Sequence, residues 1–198
     1  MRKTGTILAL LLLPLWRTAA LAQEGGEQIE TGHTQLADGR EVAYRIRLMP
    51  LDAYPQLPPA VVKTLEQREC MVPQTYEARQ PENVIQGSFE KQGSSDWAVL
   101  CSAGGNTTLL VFFGSHPGVA MALRRQSDAL WLGSELVGQY GSAWGISVAP
   151  ASQVTAAMGK GSPLADHSGI TDANVERSST VHYFHDGKWA VAASGAGS

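Results

Sequence analysis

After its first 22 residues, the chain has no apolar run long enough to cross a hydrocarbon core, which needs about 20 consecutive apolar residues. It also lacks the HExxH motif of zinc proteases, the Gly-x-x-x-x-Gly-Lys-Ser/Thr loop that binds phosphate, and a Gly-x-Gly-x-x-Gly between a strand and a helix. These absences favour a function other than catalysis, with an enzyme as the alternative.

Positive charge is also scarce. Removal of the first 22 residues would take away Arg2, Lys3 and Arg17 and leave 12 basic against 18 acidic side chains, a net charge of −6 with histidine neutral. Proteins that bind nucleic acid or anionic membranes usually carry a basic surface. The balance therefore argues against both kinds of partner.

The N-terminal segment has the features of a secretory signal peptide. Arg2 and Lys3 precede an apolar run at 7–15, and Ala20-Leu21-Ala22 is the small-x-small pattern that signal peptidase cuts. We expect a signal peptide at 1–22, a mature chain beginning at Gln23, and a periplasmic or secreted protein. The mature part is predicted to hold a flexible leader at 23–40, a single domain at 41–194 and a flexible tail at 195–198.

The mature chain contains only two cysteines, Cys70 and Cys101, and no CxxC spacing that would indicate a metal site. An exported protein meets an oxidising environment, where such a pair is expected to form a disulfide. The alternative is that both are small buried side chains.

Hydrophobic patterns predict an α+β fold with a central antiparallel sheet. Glu41–Met49 alternates apolar and polar residues, and further strands are predicted at 84–89, 97–102 and 107–113. Short helices are predicted at 60–69, after Pro58-Pro59, and at 150–158, before Gly159. Asp186-Gly187 favours a type I′ turn and therefore a C-terminal β-hairpin.

The stretch 87–99, GSFEKQGSSDWAV, has the spacing of a calcium-binding turn. It resembles the FG-GAP or VCBS-type repeat, whose pattern is Gly-Asp-Phe-Asp-Gly-Asp-Gly-x-x-Asp followed by an apolar strand. The resemblance places four residues at the ligand positions: Ser88, Glu90, Gln92 and Asp96. Only two of these are carboxylates and Lys91 lies beside them, so we predict a structural turn in which Gly93 takes a positive φ and Asp96 bonds backbone amides.

A second stretch, at 166–173, spaces Asp166, Ser168 and Asp172 in the manner of a calcium loop, with Gly169 at its bend. It is the better metal candidate of the two, and an ordinary acidic turn before a strand is the alternative. No other cofactor is expected.

Four further segments resemble those of a group of small exported bacterial proteins without an assigned activity. They are Cys-x-x-Pro-Gln at 70–74, Asn-Val-Ile-x-Gly at 83–87, Trp-Ala-Val-Leu-Cys-Ser at 97–102, and His-Tyr-Phe-x-x-Gly-Lys-Trp at 182–189. This resemblance implies a fold and an exported location but no reaction.

The candidate catalytic residues form no recognisable set. Ser147 lies in Gly-Ile-Ser-Val-Ala, which differs from the Gly-x-Ser-x-Gly elbow at its last position. His182 and His185 are three apart in a predicted strand and should point to opposite faces. His116 lies in a predicted turn.

We therefore expect an exported binding or envelope-associated domain that is not an enzyme, with an unidentified protein or envelope component as its partner. Loops at 94–96, 115–118 and 166–172 would form the recognition surface. The alternatives are a hydrolase that acts on envelope material through a loop carboxylate or histidine, and a calcium-stabilised module.

Overall fold

The computed structural model describes residues 26–136, 138–159, 164–175 and 177–194. The predicted signal peptide at 1–22 and the predicted tail at 195–198 lie outside these ranges. Strands hold 50% of the described residues and helices hold 12%. The predicted α+β class is therefore wrong, and the fold is a β-rich sandwich.

The described residues form thirteen strands and three short helical segments. In chain order the strands are β1 (Gln28–Gln35), β2 (Glu41–Met49), β3 (Val72–Pro73), β4 (Val84–Gly87), β5 (Asp96–Ala103), β6 (Asn106–Phe112), β7 (Ala120–Ser127), β8 (Leu132–Leu136), β9 (Gln139–Ser142), β10 (Trp144–Ala149), β11 (Gly169–Asn174), β12 (Ser178–His185) and β13 (Lys188–Ser194). The helical segments are a 3₁₀ turn (Leu51–Ala53), α1 (Pro59–Glu66) and α2 (Ala151–Met158). Within the described ranges, no helix is both long and apolar enough to cross a membrane.

The strands form three sheets. The first has the order β1-β2-β9-β8, with β3 also paired to β2, and the β2–β9 pairing is parallel, with Tyr44 opposite Tyr140. The second sheet has the order β4-β5-β6-β7 and the third β10-β11-β12-β13, both antiparallel between sequential strands. The sequence predicted a single central sheet, and the structure distributes the strands over three.

The second sheet forms the centre of the core because β5 and β6 are buried on both faces. Side chains alternate along a strand, so Val99 and Leu110 face α1 while Leu100 and Leu109 face the third sheet. All four are 0–1% exposed. Each fully buried leucine contributes about 1.5–3 kcal/mol to the stability of the fold. The apolar runs in the sequence correctly predicted this burial.

The C-terminal hairpin forms as predicted, because β12 pairs with β13 and both turn residues have positive φ, 49° at Asp186 and 74° at Gly187. Both helices are present but contain only 8 residues each. They cover sheet faces and do not form a layer of their own, which is why the α+β prediction fails.

The segment predicted as a flexible leader contains β1, which pairs with β2 along its whole length, from Gln28 opposite Leu48 to Gln35 opposite Glu41. Its sequence, QIETGHTQ, is too polar to signal burial, and most of its side chains are exposed or half-buried. β1 is a strand because its backbone pairs with β2, and its side chains show no apolar alternation from which it could be predicted.

Candidate ligand-binding site

The carboxylate of Asp96, the last position of the predicted calcium turn, is completely buried and is bonded by backbone amides. One oxygen accepts hydrogen bonds from the N–H groups of Phe89 and Glu90 at 2.6 and 2.7 Å, and also from the hydroxyl of Ser94. The other accepts from the N–H of Gly114 at 2.8 Å. The carboxylate therefore stabilises a turn, a role in which no metal is needed.

The other three turn positions contact separate partners. Ser88 donates its hydroxyl to the carbonyl oxygen of Ser94 at 2.8 Å, and Glu90 accepts from the hydroxyl of Ser115 at 3.1 Å. Gln92 is exposed, and Gly93 has a φ of 75°, the left-handed conformation that favours glycine. The loop closes on its own backbone, and its four predicted positions do not form a donor set that fits calcium.

The second predicted metal loop is divided between the surface and the core. The Asp166 side chain is 71% exposed, whereas Asp172 is completely buried. Ser168 donates its backbone N–H to the carbonyl oxygen of Ser88 at 3.1 Å. In the part of the chain that the structure describes, no three His, Cys, Asp or Glu side chains are placed to hold a metal ion.

Asp172 accepts hydrogen bonds from three donors on neighbouring strands. Trp144 donates its indole N–H at 2.7 Å, Arg124 donates at 3.0 Å, and Nε2 of His182 lies at 3.0 Å. Burial raises the pKa of Asp172, but the hydrogen bonds from His182 and Arg124 outweigh it and bring the pKa below its ordinary value. These donors occupy the carboxylate, so Asp172 does not fit a metal site.

The sequence predicts that His182 and His185 point to opposite faces of their strand. The structure confirms this, because His182 is buried and His185 is exposed. A second buried histidine, His167, has its Nδ1 at 2.6 Å from Asp166 and its Nε2 at 2.9 Å from the carbonyl oxygen of Phe184. Its bond to Asp166 lowers the pKa of that carboxyl. Both ring nitrogens are occupied, so His167 joins strands and has no nitrogen free to act as a general base.

An open cleft of 440 Å³ lies on the outer face of the first sheet. Side chains alternate along β2, so Ala43, Arg45 and Arg47 point to this face, whereas Tyr44 and Ile46 pack in an apolar cluster on the other face. Gln139 and Gly141 of β9 continue the floor, and Thr75 and Tyr76 form a wall.

Tyr76 lies directly on two glycines of the sheet. A Cβ atom at Gly133 would be 2.2 Å from Cε1 of Tyr76, and one at Gly141 would be 3.0 Å from its Cβ and 3.2 Å from the carbonyl oxygen of Arg45. The backbone N–H of Tyr76 donates to the carbonyl oxygen of Ser142 at 2.8 Å. The two glycines therefore create the space that fixes this half-buried ring beside Arg45.

The two arginines of the cleft differ in their bonding. Arg47 donates to Glu27 at 3.0 Å and to the carbonyl oxygen of Ala78 at 3.0 Å, and its bond to Glu27 raises its pKa. Arg45 is exposed and forms no salt bridge with any residue in the described ranges, although it lies near Glu27, whose pKa is lowered by its hydrogen bond to Arg47 and further by the charge of Arg45. Arg47 is thus a structural cation, and Arg45 presents its guanidinium to the cleft.

The cleft is not formed by the loops that the sequence suggested as a recognition surface, at 94–96, 115–118 and 166–172. Alternation in EVAYRIRLM does place Arg45 and Arg47 on one face, so part of the signal was available. The contact of Tyr76 with Gly133 joins distant parts of the chain and leaves no local pattern in the sequence.

Comparison of the chain with models of known families, with curated protein sequences and with solved structures finds no match.

Proposed function

We propose that this chain is an exported binding domain without catalytic activity, and that the cleft between Arg45 and Tyr76 binds an acidic ligand. The observation that carries the proposal is the exposed guanidinium of Arg45 in a concave site beside a fixed aromatic ring. A guanidinium is planar and always charged, and it matches a carboxylate through two parallel hydrogen bonds.

The charge of the rest of the molecule supports the proposal. The mature chain is expected to carry a net charge of −6, so an acidic ligand is repelled from most of its surface and attracted at this cleft. An acidic ligand is therefore favoured at the Arg45 guanidinium over the acidic parts of the surface.

Export is part of the proposal and has separate support. The Cys70–Cys101 disulfide, which the structure confirms, is a bond that persists in oxidising compartments and is rare in the cytosol. It agrees with the signal peptide predicted at 1–22.

The hydrolase alternative has weaker support, because the close histidine–carboxylate pairs lie away from the clefts. The close pairs are His182 with Asp172, His167 with Asp166, and His185 with Asp186, and none of these residues lines the Arg45 cleft or the two neighbouring clefts. Ser147 is exposed on β10 without a histidine bonded to it in the described structure. A catalytic nucleophile requires such a base.

The test is a fluorescence-anisotropy titration of the mature protein with labelled hexaglutamate and labelled hexagalacturonate. At least one of these should bind, and R45A should weaken that binding by about tenfold or more, because a charge-assisted hydrogen-bond pair is lost. Arg68→Ala is the matched control, since Arg68 is exposed but lies outside the three clefts. If the mature protein binds neither probe, or if R45A and R68A behave alike, the proposal is wrong.

A further inference from the structure

The lining of the Arg45 cleft has a composition that narrows the ligand class. Twelve of the residues that the structure describes line it, and none of these twelve is an aliphatic residue larger than alanine. The larger residues among them are tyrosines, arginines, glutamines, a threonine and a serine, all with hydrogen-bonding groups. Tyr44 and Tyr140 pack in the apolar cluster on the other face, so Tyr76 is the ring that the cleft presents. The described lining therefore lacks the aliphatic side chains that form the pockets of most peptide-binding grooves.

The ligand that suits this lining presents hydroxyl groups, a flat C–H face and a carboxylate. Given the proposed function, on which this step rests, we infer that the cleft binds a carboxylated saccharide. The carboxylate of the sugar pairs with Arg45, the ring stacks on Tyr76, and the exposed amide of Gln139 bonds sugar hydroxyls.

The fixed position of Tyr76 makes it suitable as a stacking platform. The ring lies against Gly133, the Cβ atom lies against Gly141, and the backbone is bonded to Ser142, so the residue is held before a ligand arrives. A pre-ordered aromatic ring loses little conformational entropy on binding, so more of the contact energy remains as affinity. A loose tyrosine on a surface loop would not offer this advantage.

A neighbouring cleft extends the site and indicates a chain of sugars. It has a volume of 530 Å³ and shares Thr75 with the Arg45 cleft, and its lining includes the polar side chains of Glu77, Arg79, Gln80 and Glu82. A third cleft, of 610 Å³, shares Tyr140, but Tyr140 and Leu132 of its lining pack in the apolar cluster on the other face of the sheet, and its Arg40 is paired with Asp38 at 2.8 Å. The adjoining cleft at Thr75 therefore leaves room for a second sugar unit beside the one at Arg45.

The experiment compares four probes on the mature protein by isothermal titration calorimetry. They are hexagalacturonate, monomeric galacturonic acid, a neutral hexasaccharide such as cellohexaose, and hexaglutamate. We expect hexagalacturonate to bind at least about tenfold more tightly than each of the other three. Tight binding of hexaglutamate with weak binding of hexagalacturonate would overturn the saccharide assignment while leaving the acidic-ligand proposal intact.

Two variants of Tyr76 test the stacking role. Tyr76→Phe keeps the ring and should keep the affinity for hexagalacturonate, whereas Tyr76→Leu should lower it by about fivefold because it removes the aromatic face. Gln139→Ala, at an exposed position, should weaken hexagalacturonate binding without changing the thermal melting temperature. Equal affinities for Y76F and Y76L, or an unchanged affinity in Q139A, would contradict the inferred binding mode.

Discussion

The carboxylate of Asp96 accepts a hydrogen bond from the backbone N–H of Gly114 at 2.8 Å, so the residue that begins β5 is bonded to the chain just after β6. Trp97 and Phe112 are paired at the same end of these two strands. The same carboxylate bonds the amides of Phe89 and Glu90 in the preceding turn. One buried side chain thus joins the turn before β5 to the end of the central hairpin.

Replacing Asp96 with asparagine should destabilise the protein by about 3 kcal/mol, because an NH₂ group then faces backbone N–H donors that lose their acceptor. The measurement is the free energy of unfolding in urea. Gln92→Ala is the control, since Gln92 is exposed in the same turn and its replacement should change stability by less than about 0.5 kcal/mol. Equal stability of D96N and the unaltered protein would show that these bonds contribute little.

Removing the disulfide by the double substitution C70A and C101A should destabilise the protein by roughly 3.7 kcal/mol. This figure follows from the loop-closure entropy of about 32 residues in the unfolded chain, given a sequence separation of 31. Urea unfolding of the variant and of the unaltered protein, each with and without reductant, gives the comparison. Reductant should lower the stability of the unaltered protein only, and a loss of equal size in the variant would contradict the entropic account.

Glu30 should make the stability of the protein depend on pH. Burial raises its pKa above the ordinary value of 4.5, and the neighbouring carboxylate of Asp128 adds to the shift. Asp128 is itself bonded by Ser102 and Thr107, both at 2.6 Å, and Tyr44 donates to Glu30 at 3.2 Å.

A raised pKa in the folded state means that the contribution of Glu30 is fully present below pH 4.5 and is lost as the pH rises through the folded value. Glu30→Gln removes the repulsion from Asp128, so it should be more stable than the unaltered protein at pH 7, with a smaller difference at pH 4. Thermal melts from pH 4 to pH 8 measure this. If the melting temperatures of E30Q and the unaltered protein differ by the same amount at every pH, the protonation of Glu30 does not affect stability in this range.

Gly133→Ala should be strongly coupled to Tyr76. The new Cβ atom would lie 2.2 Å from the tyrosine ring, so the ring must move, and we expect a loss of about 1–3 kcal/mol, as for other overpacked sites. In a Tyr76→Ala background the clash is absent and the loss should largely disappear. A double-mutant cycle of unfolding free energies provides the measurement, and additive effects would show that the contact is not important for stability.

Local patterns predicted the elements that carry strong local signals. The run TTLLVFF is buried on both faces, Pro58-Pro59 precedes α1, and Asp186-Gly187 forms the hairpin turn. Predictions failed where pairing alone makes the structure. The polar strand β1, in the segment predicted as a flexible leader, forms by pairing with β2. The prediction of one central sheet failed for the same reason.

The sequence by itself determined which segments enter the core, because apolar runs and alternation record burial directly. It favoured the Cys70–Cys101 bond, because only two cysteines follow residue 22, and the structure confirmed it. Only the tertiary structure decided which polar residues are buried and paired and which are exposed. Asp172 became a buried partner of Arg124 and His182, while Arg45 remained exposed beside Tyr76. The residue type does not show whether a charged side chain will be paired inside the fold or exposed to a ligand. The surrounding strands decide this, because they supply or withhold its hydrogen-bond partners.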